Sequence, residues 1–232
     1  MLFRGRYNLY KPSFKFVDWS RVKDLFNLGV KFFFVQIASI LLYQTNNIII
    51  SQLFGPEMVT PYNVAFRYFS VLMMGFSIIV APLWSAFTEA WVKQEIYWIK
   101  NTMNKLIKIW FLFLVLGIAL LYSSNVIYNF WIGNTLKIPL EISVLVFIWV
   151  LINIWNGIFS QFLNGIGKIK LQLIIGILSG LINIPLALVL GKVIGISGIL
   201  LSNIFVLIFS CYIYPLQYYK IINFKAHGIW AK

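Results

Sequence analysis

The sequence is short of the residues that most protein chemistry needs. It holds one histidine, His227, and one cysteine, Cys211. One cysteine forms no internal disulfide, and the pair cannot make a metal cluster or a Ser–His catalytic arrangement in the membrane. Cys211 lies in an apolar run and reads as a small buried hydrophobe. Acids are scarce as well, with six Asp and Glu in 232 residues. Asp18 and Asp24 precede the first long apolar run, Glu57 and Glu141 lie at run ends, and Glu89 is near the end of the second run. Acid–base catalysis in a membrane cavity needs carboxylates that face it, and none is placed to do so. No Gly-x-x-x-x-Gly-Lys-Ser/Thr loop occurs, so ATP hydrolysis is not expected of this chain. The sequence is therefore read as a non-enzyme, with no cofactor and no metal.

Charge as a whole is low, at 11% of residues against about 25% in soluble domains. What takes its place is apolar: 61% of the chain is hydrophobic and 18% aromatic. A soluble fold of this length could not hide that much apolar surface, so the solvent is a lipid bilayer. The apolar residues fall into six runs: Leu28 to Phe54, Thr60 to Ala90, Leu106 to Tyr128, Pro139 to Asn164, Leu171 to Leu190, and Ile196 to Tyr214. Each is long enough for the ~20 residues a helix needs to cross the hydrocarbon. None alternates as a barrel strand would. The expected fold is an all-α integral membrane protein with six transmembrane helices. Its parts are an N-terminal segment over 1–27, a six-helix lobe over 28–214, and an interfacial tail over 215–232. The first 24 residues lack the continuous apolar core and cleavage site of a signal peptide.

The net charge of +13 has two possible meanings, nucleic acid or membrane topology. The layout decides. Of the nineteen Lys and Arg, sixteen lie in the N-terminal segment and first turn, the second and fourth connections, and the tail. The other connections hold only Lys137 and Lys192. Basic residues gathered on one face follow the positive-inside rule, which puts both termini in the cytoplasm and excludes nucleic acid as a partner. Trp91 and Trp98, seven apart among Lys93 and Lys100, and the tail's Tyr218, Tyr219, Lys220, Phe224, Lys225 and Trp230, have the aromatic–basic mixture of headgroup anchors.

Arg67 is the one basic residue this topology leaves unexplained. It sits ten residues beyond Glu57, about 15 Å into the second span. Intramembrane Arg is a candidate for function, and a guanidinium forks onto phosphate; a structural Arg bonded to carbonyls or amides is the competing reading. Polar residues recur at helical spacing around it. Gln36, Ser39, Tyr43 and Asn47 form a stripe in the first span, with Asn46 at its edge. Asn63, Arg67, Ser70, Met74 and Ser77 follow in the second, and Asn153, Asn156, Ser160 and Asn164 in the fourth. The fifth is thinner, with Gln172, Ser179 and Asn183, and the third is bare from Ile109 to Leu121. Polar stripes in hydrocarbon face protein or a wet cavity. Lys31 near the inner end of the first span either joins that cavity or snorkels. Pro82 kinks the second span and is a candidate hinge. Gly176 and Gly180 form a small-xxx-small pair suited to close helix packing.

Several stretches are similar to one transporter family. Gly29-Val30-Lys31-Phe32-Phe33-Phe34-Val35-Gln36 and Thr45-Asn46-Asn47-Ile48-Ile49-Ile50-Ser51-Gln52 resemble the seventh span of bacterial oligosaccharide flippases. Pro61 to Arg67 and Ala81 to Ala90 resemble the eighth, and Leu163 to Lys168 the exit of the tenth. These flippases form the polysaccharide-transporter branch of the multidrug, oligosaccharidyl-lipid and polysaccharide exporter superfamily. The resemblance implies a two-lobe exporter in the bacterial cytoplasmic (inner) membrane that flips undecaprenyl-pyrophosphate-linked oligosaccharide by alternating access. It covers the second lobe only, so a missing N-terminal lobe or a second copy is the implied partner. With that substrate, the polar stripes and the intramembrane Arg give a candidate binding set of Arg67, Asn46, Asn47, Asn63, Gln36, Asn153, Asn156 and Lys31, in which Arg67 would meet the pyrophosphate or an acidic sugar, with Pro82 as candidate hinge. The alternatives are another exporter of the superfamily, carrying drug or lipid, and a non-transporting membrane assembly subunit.

Overall fold

The computed structural model describes residues 22–133 and 137–231. Most of the expected N-terminal segment, with Arg4, Arg6, Lys11 and Lys15, lies outside the described residues, as does the side chain of Lys31. Helix is the only repeating structure among the described residues. Among the described residues seven α-helices follow one another: α1 (Val22–Phe54), α2 (Val59–Val80), α3 (Leu83–Val92), α4 (Ile96–Ile132), α5 (Leu140–Gly165), α6 (Lys170–Ile194) and α7 (Ile196–Ile222). The reason is the solvent: a bilayer offers the backbone no hydrogen-bond partners, so each apolar run must satisfy its own.

The helices α2 and α3, with the 3-10 turn Pro56–Met58 ahead of them, make one broken span of 37 residues. That span and α4, α5, α6 and α7 are each long and apolar enough to cross a membrane. The first helix, 33 residues long, accounts for the remaining apolar run. The chain is thus an all-α, multi-pass membrane protein. The break falls at Ala81-Pro82, where proline has no N–H to give the preceding turn. Gln161 of α5 meets the break, its Nε2 donating to the Val80 carbonyl at 2.9 Å.

Packing runs α2–α5–α7–α6–α1, with α4 and α3 against the outer side of α5. Both α5 and α6 lie along α7 but scarcely touch one another. Between α2, α3, α4 and α5 the core is aromatic. Phe69, Phe87 and Phe162 are fully buried, and Phe87 meets Phe162 edge-on at 5.5 Å. Two glycines let the backbones close in. A Cβ on Gly165 would lie 2.9 Å from the Trp84 carbonyl oxygen, and one on Gly117 would overlap the Phe147 ring. Ring donors add cross-links. Trp110 Nε1 donates to the Leu151 carbonyl at 3.0 Å, Tyr68 to Leu120 at 2.9 Å, and Trp155 Nε1 to Cys211 at 3.2 Å. The far side of α4 exposes Phe111, Leu112, Val115, Leu116 and Ile118, as its bare sequence predicts for a lipid-facing helix.

Helices α6 and α7 are joined by a single residue, Gly195, at φ +77°, where a side chain would be strained. Gly198 is as tight, since a Cβ there would overlap the Leu190 carbonyl. The expected packing pair behaves differently. Gly180 opens onto space, where a Cβ would meet nothing within 4 Å, so it brings no helix close. At the other end α7 continues to Ile222, and the chain then folds back. Lys220 Nζ sits 3.7 Å above the Trp230 ring, and the buried Gln217 Nε2 lies within reach of both the Lys168 and Trp230 carbonyls.

Candidate functional site

The gap between α5 and α6 is a groove of about 330 Å³, floored by α7 and edged by Met73 of α2. It runs along α5 from Trp149 to Asn164, about 22 Å at 1.5 Å per residue. The polar stripe of α5 lines one wall through Asn153, Asn156, Ser160 and Asn164. The thinner stripe of α6 forms the other with Gln172 and Ser179, and Gly176 leaves room between them. Asn203, Ser210 and Tyr214 of α7 form the floor. No charged side chain lines it among the described residues.

The amides are oriented by their neighbours. Ser210 gives its hydrogen to the Leu207 carbonyl at 2.6 Å, so its oxygen must accept from Asn156 Nδ2 at 2.7 Å. That leaves Asn156 Oδ1 as a buried acceptor without a partner. Across the groove Gln172 Nε2 is a buried donor without a partner. Asn153 donates to the Trp149 carbonyl at 2.8 Å. Buried amides with open valences want a polar guest, because leaving such groups unpaired costs about 1–3 kcal/mol each.

Other expected site residues lie elsewhere. Asn46 is buried in a bridge between three helices. Its Nδ2 donates to Tyr62 Oη of α2 at 3.2 Å, and its Oδ1 accepts from Asn203 Nδ2 of α7 at 2.9 Å. Asn47 borders a separate open recess with Ser51 and Gln52 near the α1–α2 turn. Gln36 is exposed on α1, Asn63 is half-buried on α2, and Arg67 is exposed on α2. Ser70 bonds back to the Arg67 carbonyl at 2.7 Å, so that stripe presents an outward face with Met74 and Ser77. Pro82 is exposed at the break, but α3 below it is fastened to α5 by Thr88 Oγ1 donating to the Gly165 carbonyl at 2.6 Å. Glu89 forms an exposed ion pair with Lys93, whose ammonium is held above its usual range by that hydrogen bond. Sequence reasoning missed the floor. Asn203 and Ser210 stand seven residues apart along α7, a spacing that marks one helix face.

Residues 6–115 match the family model described as polysaccharide biosynthesis protein. Among curated proteins, one named as an O-antigen transporter of Salmonella typhimurium is 26% identical over 192 residues, covering 75% of this chain and 41% of the relative. One named as an O-antigen export protein of Yersinia pseudotuberculosis is 22% identical over 175 residues, covering 71% and 40%. The chain thus spans about two fifths of the length of the curated relatives it matches. No solved structure matches significantly. Through a matched family model and two matched transport proteins, the chain is similar to membrane proteins of the O-antigen and polysaccharide transport type, over part of their length.

Proposed function

We propose that the chain forms one lobe of a transporter that moves lipid-linked oligosaccharide, built on undecaprenyl pyrophosphate, across the bacterial inner membrane, with both termini cytoplasmic. The observation that carries this reading is the uncharged, amide-lined groove inside a membrane-spanning bundle. A sugar head dragged through hydrocarbon loses its hydrogen bonds to water at a cost of several kcal/mol per group. A groove of amides and hydroxyls replaces those bonds one by one and lowers the barrier without any bond being made or broken. Arg67, on the outward face of α2, is suited to the pyrophosphate, whose charge asks for a forked donor. Ser70 and Ser77 share that face, which would border a cavity shared with a missing N-terminal lobe or a second copy.

The test uses the complete protein in cells whose surface polysaccharide depends on it. Arg67→Ala is expected to cut export at least tenfold and to leave lipid-linked repeat units in the inner leaflet. Export at the normal rate sinks the role of Arg67. A rival reading, a non-transporting assembly subunit, draws on the exposed Val71, Met74 and Ile78, which could seat a partner helix. Water separates the two. Ser70→Cys and Asn156→Cys should react with a membrane-impermeant thiol reagent if the faces are wet, and both should stay unlabelled if a helix covers them.

A further inference from the structure

We infer that the groove between α5 and α6 is a neutral-sugar subsite, taking one uncharged hexose-type ring, and that the anionic part of the same substrate is bound separately. This rests on the transport reading and assigns the groove one portion of the substrate. Charge gives the first reason. Among the described residues no Lys, Arg, Asp or Glu lines the groove, so a pyrophosphate there would lose its water and gain no counter-charge. The second reason is the open valences. Asn156, 7% exposed as a residue, holds its Oδ1 buried without a partner, and Gln172, 6% exposed, does the same with its Nε2. A hydroxyl both gives and accepts a hydrogen bond, so it suits the acceptor of Asn156 and the donor of Gln172 alike. A phosphate oxygen only accepts and would leave Asn156 Oδ1 facing negative charge.

Shape gives the third reason. Trp149, Met73 and Leu207 supply apolar wall beside the amides, which suits the C–H face of a sugar ring. A volume of about 330 Å³ is at the small end of ligand pockets, room for a single ring rather than a whole repeat unit. Arg67 does not line this surface. It lies six residues before Met73, about 9 Å along α2 and about 120° around it. One lobe therefore offers two chemically distinct contacts, hydroxyl on one side and anion on the other.

The experiment uses the full chain with Cys211→Ala and Ser160→Cys, reconstituted in phosphatidylethanolamine–phosphatidylglycerol vesicles. Ser160 is half-buried on the groove wall, so its thiol reports access from water. Labelling by a water-soluble maleimide is timed with N-acetylglucosamine, galactose, rhamnose or inorganic pyrophosphate present. At least one sugar should slow labelling severalfold, and pyrophosphate should leave it unchanged. Asn156→Leu or Gln172→Leu should abolish that protection while the sugar-free labelling rate and the helical circular dichroism stay the same. Protection by pyrophosphate, no protection by any of the three sugars, or a thiol that never reacts would each overturn the subsite. Export by the complete protein, measured alongside, keeps the outcomes apart. Normal export with no sugar protection removes the subsite alone, whereas no export of lipid-linked sugar removes the transport reading itself.

Discussion

One helix, α5, divides two kinds of packing. On its α2–α4 side Phe162 is fully buried, with Phe87 and Trp91 in ring contact, and Gly165 lets α3 approach to contact distance. On its α6 side there is a gap, and α7 joins the two helices beneath it, with amide and hydroxyl pairs such as Asn156–Ser210 and Asn183–Ser202 among its contacts. The difference has a physical source. Lipid tails are as apolar as leucine, so helices in a bilayer are held by close fit and by hydrogen bonds. Close fit gives a rigid half. Beside the gap, amides that are only partly hydrogen-bonded leave valences open. Close packing and open amides therefore lie on opposite faces of one helix.

Substitutions can break this contrast. The largest effect is expected for Phe162→Ala, which empties the aromatic junction and should destabilise the folded state by about 3–5 kcal/mol. Unfolding in mixed detergent micelles measures it, and a loss below 1 kcal/mol would show that the aromatic side is not tightly packed. Gly165→Leu comes next. Its side chain would press on the Trp84 carbonyl, a backbone atom with little freedom to yield, at a cost of about 1–3 kcal/mol. Thermal loss of near-ultraviolet circular dichroism reports it, and unchanged melting contradicts the close approach.

On the amide side the expected effects are smaller. Asn203→Leu removes the donor to Asn46 Oδ1 and should cost about 1 kcal/mol, in line with hydrogen bonds measured between membrane helices. Pairing it with Tyr62→Phe in a double-mutant cycle sharpens the result, since additive effects would mean that Asn46 is not a shared bridge. Gly180→Ala is the smallest. Its Cβ enters open space and alanine favours helix, so stability should hold or rise by up to about 1 kcal/mol. A clear destabilisation would return Gly180 to a packing role.

The apolar runs made the helices legible, because span length and lipid compatibility are local properties of the chain. Pro82 marked the break for the same reason. The polar stripe of α5 was legible too, and Asn153, Asn156, Ser160 and Asn164 do line one groove. The pairing between stripes was less so. Asn46 and Asn47 are adjacent and chemically identical. Only the placement of Tyr62 and Asn203 commits the first to an interhelical bridge, while the second borders a recess. Gly176 and Gly180 share one sequence pattern, yet the first makes room in the groove and the second faces open space. Spacing along a helix fixes which residues share a face, and the neighbour that meets this face is set by topology.

The single-residue turn at Gly195 makes α6 and α7 a pair of tweezers. Their tips at Ile194 and Ile196 cannot part, because one glycine joins them and Gly198 lies against the Leu190 carbonyl. Any splaying of α6 must therefore grow toward its other end, where Leu171 and Gln172 lie. Over 25 residues, about 37 Å, a tilt of about 5° about that pivot displaces the far end by about 3 Å. That is the width of a water molecule, gained at the Gln172 mouth of the groove and nowhere near the hinge.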